Sequence, residues 1–335
     1  MIYDLLLNIL LTIFIGMYFN KYANKFGLID NPNSRSSHNT PTARGFGVVL
    51  FISIYITLLA FLYYLIIDNI LLLVSIFIVM MIGLLDDAKG SSPIVKITSL
   101  FIAYIMLYLD GYVINNLGVF LNISFELYDV VAIAFTLFTI VAFTNAFNLI
   151  DGLDGLSGLI AIVIFSSFLL IGYLNNDQLL TTVSILFISS IAIFLFFNWH
   201  PAKIFLGDSG SLMIGFVISV LGIKSLNYIE PIAILYIAAT PIFDSLIVFF
   251  RRVSLRVSPF SPDQSHFHHI LLYCLKGNIV KTVITMIIMQ LIFSIIGVVI
   301  VANVQDSFIP LIVFIFLLVV MYKLLTWRYL VQNRI

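Results

Sequence analysis

Cysteine and charge are both scarce in this chain of 335 residues. Cysteine occurs once, as Cys274, which excludes an intrachain disulfide framework and a cysteine-built metal cluster. Charged residues make up 10%, and 16 basic residues balance 16 acidic ones. That zero balance names no polyanionic partner, and nucleic acid is not expected. No internal repeat or low-complexity tract is visible. The first apolar stretch lacks the small-residue end of a cleavable signal peptide.

Apolar residues, in contrast, are abundant. They make up 62% of the chain, and mean hydropathy is +1.16. A soluble domain holds about 45–50%. The excess lies in blocks of about 17–22 residues, the length that crosses a bilayer. Eleven spans are predicted, at 2–19, 45–67, 70–85, 94–110, 129–147, 156–174, 179–197, 211–227, 231–250, 282–302 and 309–325. The stretch 112–128 reads as a short extended hairpin. The expected fold is an all-α polytopic membrane protein, with one integral-membrane domain over 1–335. Of the 16 Lys and Arg residues, only Lys224 falls toward the second side of the membrane. The positive-inside rule therefore puts the N-terminus outside and the C-terminus in the cytoplasm. The polar clusters all fall on the cytoplasmic side, so an active site is expected there.

The cluster "LLDDAKG" puts Asp86 and Asp87 at the C-terminus of a span, where the helix dipole disfavours acids and two carboxylates repel. Alone it reads as a solvated acidic helix end. Its functional reading needs a cation, Lys96 or Mg²⁺, to offset the repulsion. In "NAFNLIDGLDGL", Asn145, Asn148, Asp151 and Asp154 recur every three residues, which keeps neighbours on one side of a helix. A cap explains one such group but not four, and oxygen ligands of this kind suit Mg²⁺.

In "FLGDSGS", Asp208 precedes the eighth span, where it is either an N-cap or a metal-holding acid beside N–H groups that cradle phosphate. The segment "SPFSPDQSHFHHIL" carries His266, His268 and His269 behind Arg251, Arg252 and Arg256, with Pro259 and Pro262 stiffening it. It reads as a basic membrane-surface loop or an anion-binding arm, and zinc ranks low without cysteine. Asp244 lies inside the ninth span, with Arg251 its expected partner by helical phase.

These clusters resemble, in order, the motifs of the polyprenyl-phosphate N-acetylhexosamine-1-phosphate transferases, the WecA/MraY superfamily. The resemblance runs from about residue 28 to 272 and includes "LIDNPNSRSSH" and "PAKIFLGDSGSL". The arm His266-Phe267-His268-His269 is similar to the His-x-His-His arm of WecA-like enzymes, whereas MraY-like enzymes carry three consecutive histidines. The first loop departs at Arg44 and Phe46, where the family often shows paired glycines.

The resemblance implies transfer of a sugar-1-phosphate from a UDP-N-acetylhexosamine to polyprenyl phosphate, undecaprenyl phosphate in bacteria, with release of UMP. It implies Mg²⁺, replaceable by Mn²⁺, held by Asn148 and Asp208. It makes Asp86 and Asp87 the acidic pair, with Asp86 the candidate base, and puts Lys96 near the diphosphate. Asp151, Asp154, Asn198 and Phe205 match nucleotide-binding positions. Arg256, His266, His268 and His269 match the phosphate- and sugar-binding arm. The expected location is the bacterial inner membrane, among membrane lipid, and a homodimer is compatible with it. Family donors range from GlcNAc and GalNAc to FucNAc and QuiNAc, and the polymers begun this way include O-antigen, teichoic acid and capsule. Phospho-MurNAc-pentapeptide transfer is the alternative within the family. A secondary transporter is the alternative in another class, since intramembrane acids also mark transport sites. A catalytically dead binding or scaffold protein is the third.

Overall fold

The computed structural model describes residues 2–32, 40–254, 256 and 266–332, with side chains to Leu324. Residues 33–39 of the first loop and 257–265 of the histidine arm, including Pro259 and Pro262, lie outside the described residues. The described chain divides into two compact units, Met1–Ile114 with Tyr128–Tyr228, and Asn115–Leu127 with Ile229–Ile335.

The first unit holds helices α1 (Ile2–Tyr22), α2 (Gly47–Phe61), α3 (Tyr63–Asp68), α4 (Ile70–Lys89), α5 (Pro93–Leu109), α6 (Asp129–Leu149), α7 (Leu156–Leu174), α8 (Gln178–Asn198) and α9 (Gly207–Ser225). The predicted second span is interrupted at Leu62, between α2 and α3. Apolar packing is helped by intramembrane polar contacts: Asn8 on α1 donates to Leu186 O (3.0 Å), Ser189 Oγ (2.7 Å) and Ser190 Oγ (2.8 Å) on α8. The unit also contains a small sheet that an all-α expectation misses. Strands β1 (Ile29–Asp30), β2 (Thr42–Arg44) and β5 (Ile204–Phe205) lie in the order β1-β2-β5. β1 runs antiparallel to β2, and β2 parallel to β5 with Arg44 opposite Phe205.

The second unit holds α10 (Pro231–Ile237), α11 (Ala239–Ser254), α12 (Phe267–Cys274), α13 (Ile279–Ile295) and α14 (Phe308–Gln332). The expected hairpin is there too, as β3 (Asn116–Phe120) and β4 (Ile123–Glu126). The ninth span is not straight: α10 and α11 meet at 84°. Gln290 of α13 satisfies the broken backbone, accepting from Thr240 N (3.0 Å) and donating to Ile237 O (2.6 Å).

Among the described residues, seven helices are long and apolar enough to cross a membrane, or eight if the bent pair is one span. Three further apolar helices, Gly47–Phe61, Pro93–Leu109 and Phe308–Leu324, are shorter. This is the make-up of a multi-pass helical membrane protein.

Candidate active site

Backbone contact between α4 and α9 positions the acids. A Cβ on Gly83 of α4 would fall 2.4 Å from Asp208 O, so glycine lets the two backbones touch one turn before the acidic pair. Asp86 and Asp87 thus end α4 directly beside the first turn of α9. α9 starts at Gly207, not at the predicted 211, so Asp208 is a helical residue and not its N-cap.

Asp87 is buried, at 5% exposure. Its two oxygens accept the backbone N–H groups of Asp208 (2.8 Å) and Ser209 (3.0 Å). An acid from another helix therefore caps α9, and those two amides are taken by protein. This corrects the expectation that they cradle a substrate phosphate. Gly207 adopts φ +74°, and a Cβ there would lie 2.5 Å from Asp87 Oδ2. Glycine is needed for both reasons.

With its amides capped from outside, Asp208 turns its carboxylate elsewhere. Oδ1 accepts from Asn148 Nδ2 at 3.1 Å, and Oδ2 pairs with Lys96 Nζ. Asn148 also donates to Ser211 Oγ (2.7 Å). Lys96 stands in the first turn of α5, behind the Ser92 N-cap and Pro93, and its ammonium also reaches Asp86 Oδ2 at 3.0 Å. Asp86 Oδ1 accepts from both N and Oγ of Ser91, each at 2.6 Å. The structure therefore brings Asp86, Asp87, Lys96, Asn148 and Asp208 into one connected cluster.

Sequence reasoning gave Arg44 no part in this cluster. Its Nε donates to Asp87 O and its Nη2 to Asp86 O, both at 3.1 Å. The guanidinium satisfies carbonyls at the C-terminus of α4 and lies 3.5 Å from Asp87 Oδ1. It explains how two acids are tolerated at a helix end whose dipole opposes them. The available signal was its departure from glycine in the first loop.

The remaining residues of this unit hold neighbouring loops. Asp151 accepts from Ser157 Oγ. Burial raises its carboxyl to about 7, and the charges of Asp208, Asp87 and Asp154 push the same way against the Ser157 hydrogen bond. Asp154 pairs with His200 Nδ1 (2.7 Å) and accepts from Ala202 N (3.1 Å). Asn198 is buried; its Oδ1 accepts from Gly155 N (2.8 Å) and its Nδ2 donates to Ile204 O (2.9 Å). Its side chain braces the loop against β5. Phe205 is half-buried on β5, its carbonyl accepting from Gly45 N and Phe46 N.

In the second unit, Arg256 is exposed with φ +57°. His266 and His268 are buried against Asp244, and the His269 ring lies 4.3 Å from that of His268. Both carboxylate oxygens of Asp244 meet histidines, partners that helical phase did not offer beside Arg251.

The donor set around Asp208 suits a hard divalent cation. Among the described residues three carboxylates face two cations there, the Asn148 amide lies beside Asp208, and the Lys96 ammonium already bridges two of the acids as a metal cation would. The residues present therefore fit Mg²⁺.

The sequence profile of glycosyl transferase family 4 matches residues 69–226. That stretch carries the whole cluster except Arg44. A probable undecaprenyl-phosphate N-acetylglucosaminyl 1-phosphate transferase of Bacillus subtilis (strain 168) is 32% identical over 248 residues, 72% of this chain and 69% of the relative. Undecaprenyl-phosphate alpha-N-acetylglucosaminyl 1-phosphate transferases of Haemophilus influenzae and Escherichia coli (strain K12) are 31% and 27% identical, each over 73% of this chain and over 72% and 69% of their own length.

Proposed function

The chain belongs to glycosyl transferase family 4, and on that premise we propose that it transfers N-acetylglucosamine-1-phosphate from UDP-N-acetylglucosamine to undecaprenyl phosphate. The observation that carries the reading is the Asp86–Lys96–Asp208–Asn148 cluster at adjoining ends of apolar helices. A water-soluble nucleotide and a membrane-held phosphate can meet only at such a boundary. The names of the relatives support this choice of sugar and lipid, and membership of this family sets the transporter reading aside.

In the reaction, an acceptor phosphate oxygen attacks the phosphorus that bears the sugar. The bond from that phosphorus to the bridging oxygen breaks, and its electron pair leaves with UMP. Several negative charges converge, so fixed cations and electrostatic order dominate the barrier. Asp208 and Asn148 would hold Mg²⁺, which when bound neutralises phosphate charge and polarises phosphoryl oxygens. Lys96 supplies a cation held between Asp86 and Asp208. Asp87 keeps α9 in place through its first amides, and Arg44 holds the end of α4. Asp86, anchored by Ser91, is the candidate base. Asp151, Asp154, Asn198 and Phe205 keep the nucleotide role, with Asn198 acting through the loop it braces. Arg256, His266, His268 and His269 keep the phosphate- and sugar-binding role implied for them.

The three shorter apolar helices complete eleven spans in a single transferase domain of the bacterial plasma membrane, N-terminus outside and active site cytoplasmic. In a Cys274→Ala background, Lys89→Cys is expected to label only from the cytoplasm and Asn176→Cys only from outside; the reverse overturns the orientation.

The direct test offers the purified protein a panel of UDP-sugars with undecaprenyl phosphate and measures UMP. UDP-N-acetylglucosamine is expected to react fastest. No UMP from any UDP-sugar would overturn the reading.

A further inference from the structure

The most constrained polar group outside the Asp208 cluster is Asp244, 0% exposed in α11. Its Oδ2 lies 2.6 Å from His266 Nδ1, and its Oδ1 lies 2.9 Å from His268 Nδ1 and accepts the His268 backbone N–H at 3.2 Å. One carboxylate thus binds two imidazoles, one through each oxygen. The rings are 5.5 Å apart with 24° between their planes.

A carboxylate oxygen can only accept, so each facing Nδ1 carries the hydrogen. That leaves Nε2 as the second functional atom of each ring. His268 Nε2 is buried and has no hydrogen-bond partner among the described residues. An unsatisfied buried nitrogen costs about 1–3 kcal/mol, and native structures keep one where a ligand or water completes it. The three side chains form a compact group of metal-ligand type. Yet a separation of 2.6 Å, with a different oxygen for each ring, is that of direct hydrogen bonds. The carboxylate itself stands on a braced element, since Gln290 closes the helix break by accepting from Thr240 N, four residues before Asp244.

We propose that Asp244 is a positioning residue: it holds hydrogen on Nδ1 of His266 and His268, fixes the orientation of both rings, and so leaves His268 Nε2 as the atom that hydrogen-bonds the sugar-phosphate substrate. The identity of that substrate rests on the transferase reading; the protonation of the two rings does not. A structural ion pair alone predicts lost stability on substitution. A positioning role also predicts a change at the imidazoles and in substrate binding.

The chain has five histidines, so ¹⁵N-imidazole spectra of the full-length protein in detergent can be assigned by single substitutions. Wild type is expected to show His266 and His268 with hydrogen-bonded Nδ1–H. Asp244→Asn offers one acceptor oxygen, so one ring is expected to lose that signal, and KM for UDP-N-acetylglucosamine to rise about tenfold or more. A second pair guards against a variant that fails to fold. His268→Gln keeps a hydrogen-bonding amide near the Nε2 position and is expected to hold KM within about threefold; His268→Asn does not, and is expected to raise it about tenfold. The proposal is overturned if the wild-type Nδ1 atoms lack hydrogen, if the Gln and Asn variants behave alike, or if the protein carries stoichiometric zinc that Asp244→Asn loses. The spectra need no substrate. A wild type that releases no UMP therefore strikes the transferase reading, while the Nδ1 signals still decide the role of Asp244.

Discussion

Helix α9 has an acid-containing cluster at each end, about 28 Å apart for its 19 residues, and the two ends differ in kind. At the far end Asp177, the N-cap of α8, accepts from Leu180 N and Tyr228 Oη, both at 2.9 Å, with Lys224 at 3.8 Å. One carboxylate is matched by one cation, and the group is complete. At the near end Asp86, Asp87 and Asp208 crowd together and, among the described residues, Lys96 and Arg44 oppose them. A complete acid is architecture, whereas a crowded one asks for a further cation. The comparison separates a structural acid from a working one on a single helix.

The largest expected effect comes from breaking the near end. Asp208→Asn keeps shape and hydrogen bonding to Asn148 but removes the charge, so UMP release should fall about 10³-fold in a protein that still inserts and elutes normally. Asp87→Asn should act mainly on the fold. Asparagine offers one acceptor oxygen for two amides, so a loss of about 1.5–3 kcal/mol in thermal or denaturant stability is expected, with activity down about tenfold through the displaced Asp208. At the far end, Asp177→Ala should cost about 1–2 kcal/mol from the lost cap and leave UMP release within about threefold. A large activity loss there would erase the distinction between the two ends.

The smallest effect concerns Asp151, whose folded carboxyl is raised to about 7 by burial. A raised acid binds its proton more tightly when folded. Its contribution is therefore full below the unfolded value of about 4 and is lost as pH rises through about 7. In EDTA, wild type should lose more thermal stability between about pH 6 and about pH 8 than Asp151→Asn. Equal slopes would show that Asp151 is ionised in both states.

The helices were legible because hydropathy acts over whole spans, and the acids were legible because charges at membrane boundaries are rare. Asn148 and Asp208, 60 residues apart, had to be brought together by the fold. Shorter-range chemistry was less visible. Strands of two or three residues, such as Ile29–Asp30 and Ile204–Phe205, have no periodicity to detect. The break at Ala238 has a local signal in Pro241, which cannot donate to Ile237 O, but nothing local shows that Gln290 of a distant helix completes it. Helical phase offered Arg251 to Asp244, but the histidines reach it from 22 and 24 residues along the chain. The amides at the start of α9 were taken for a phosphate cradle because nothing local reveals that Asp87 arrives from another helix to cap them.

The central claim is that the near end of α9 takes a divalent cation because, among the described residues, its acids exceed its fixed cations. Mn²⁺ titration followed by electron paramagnetic resonance, on wild type, Asp208→Asn and Asp177→Ala, tests this most directly. One Mn²⁺ site displaced by Mg²⁺ is expected in wild type and in Asp177→Ala, and none of comparable affinity in Asp208→Asn. Equal Mn²⁺ binding by wild type and Asp208→Asn would contradict the account.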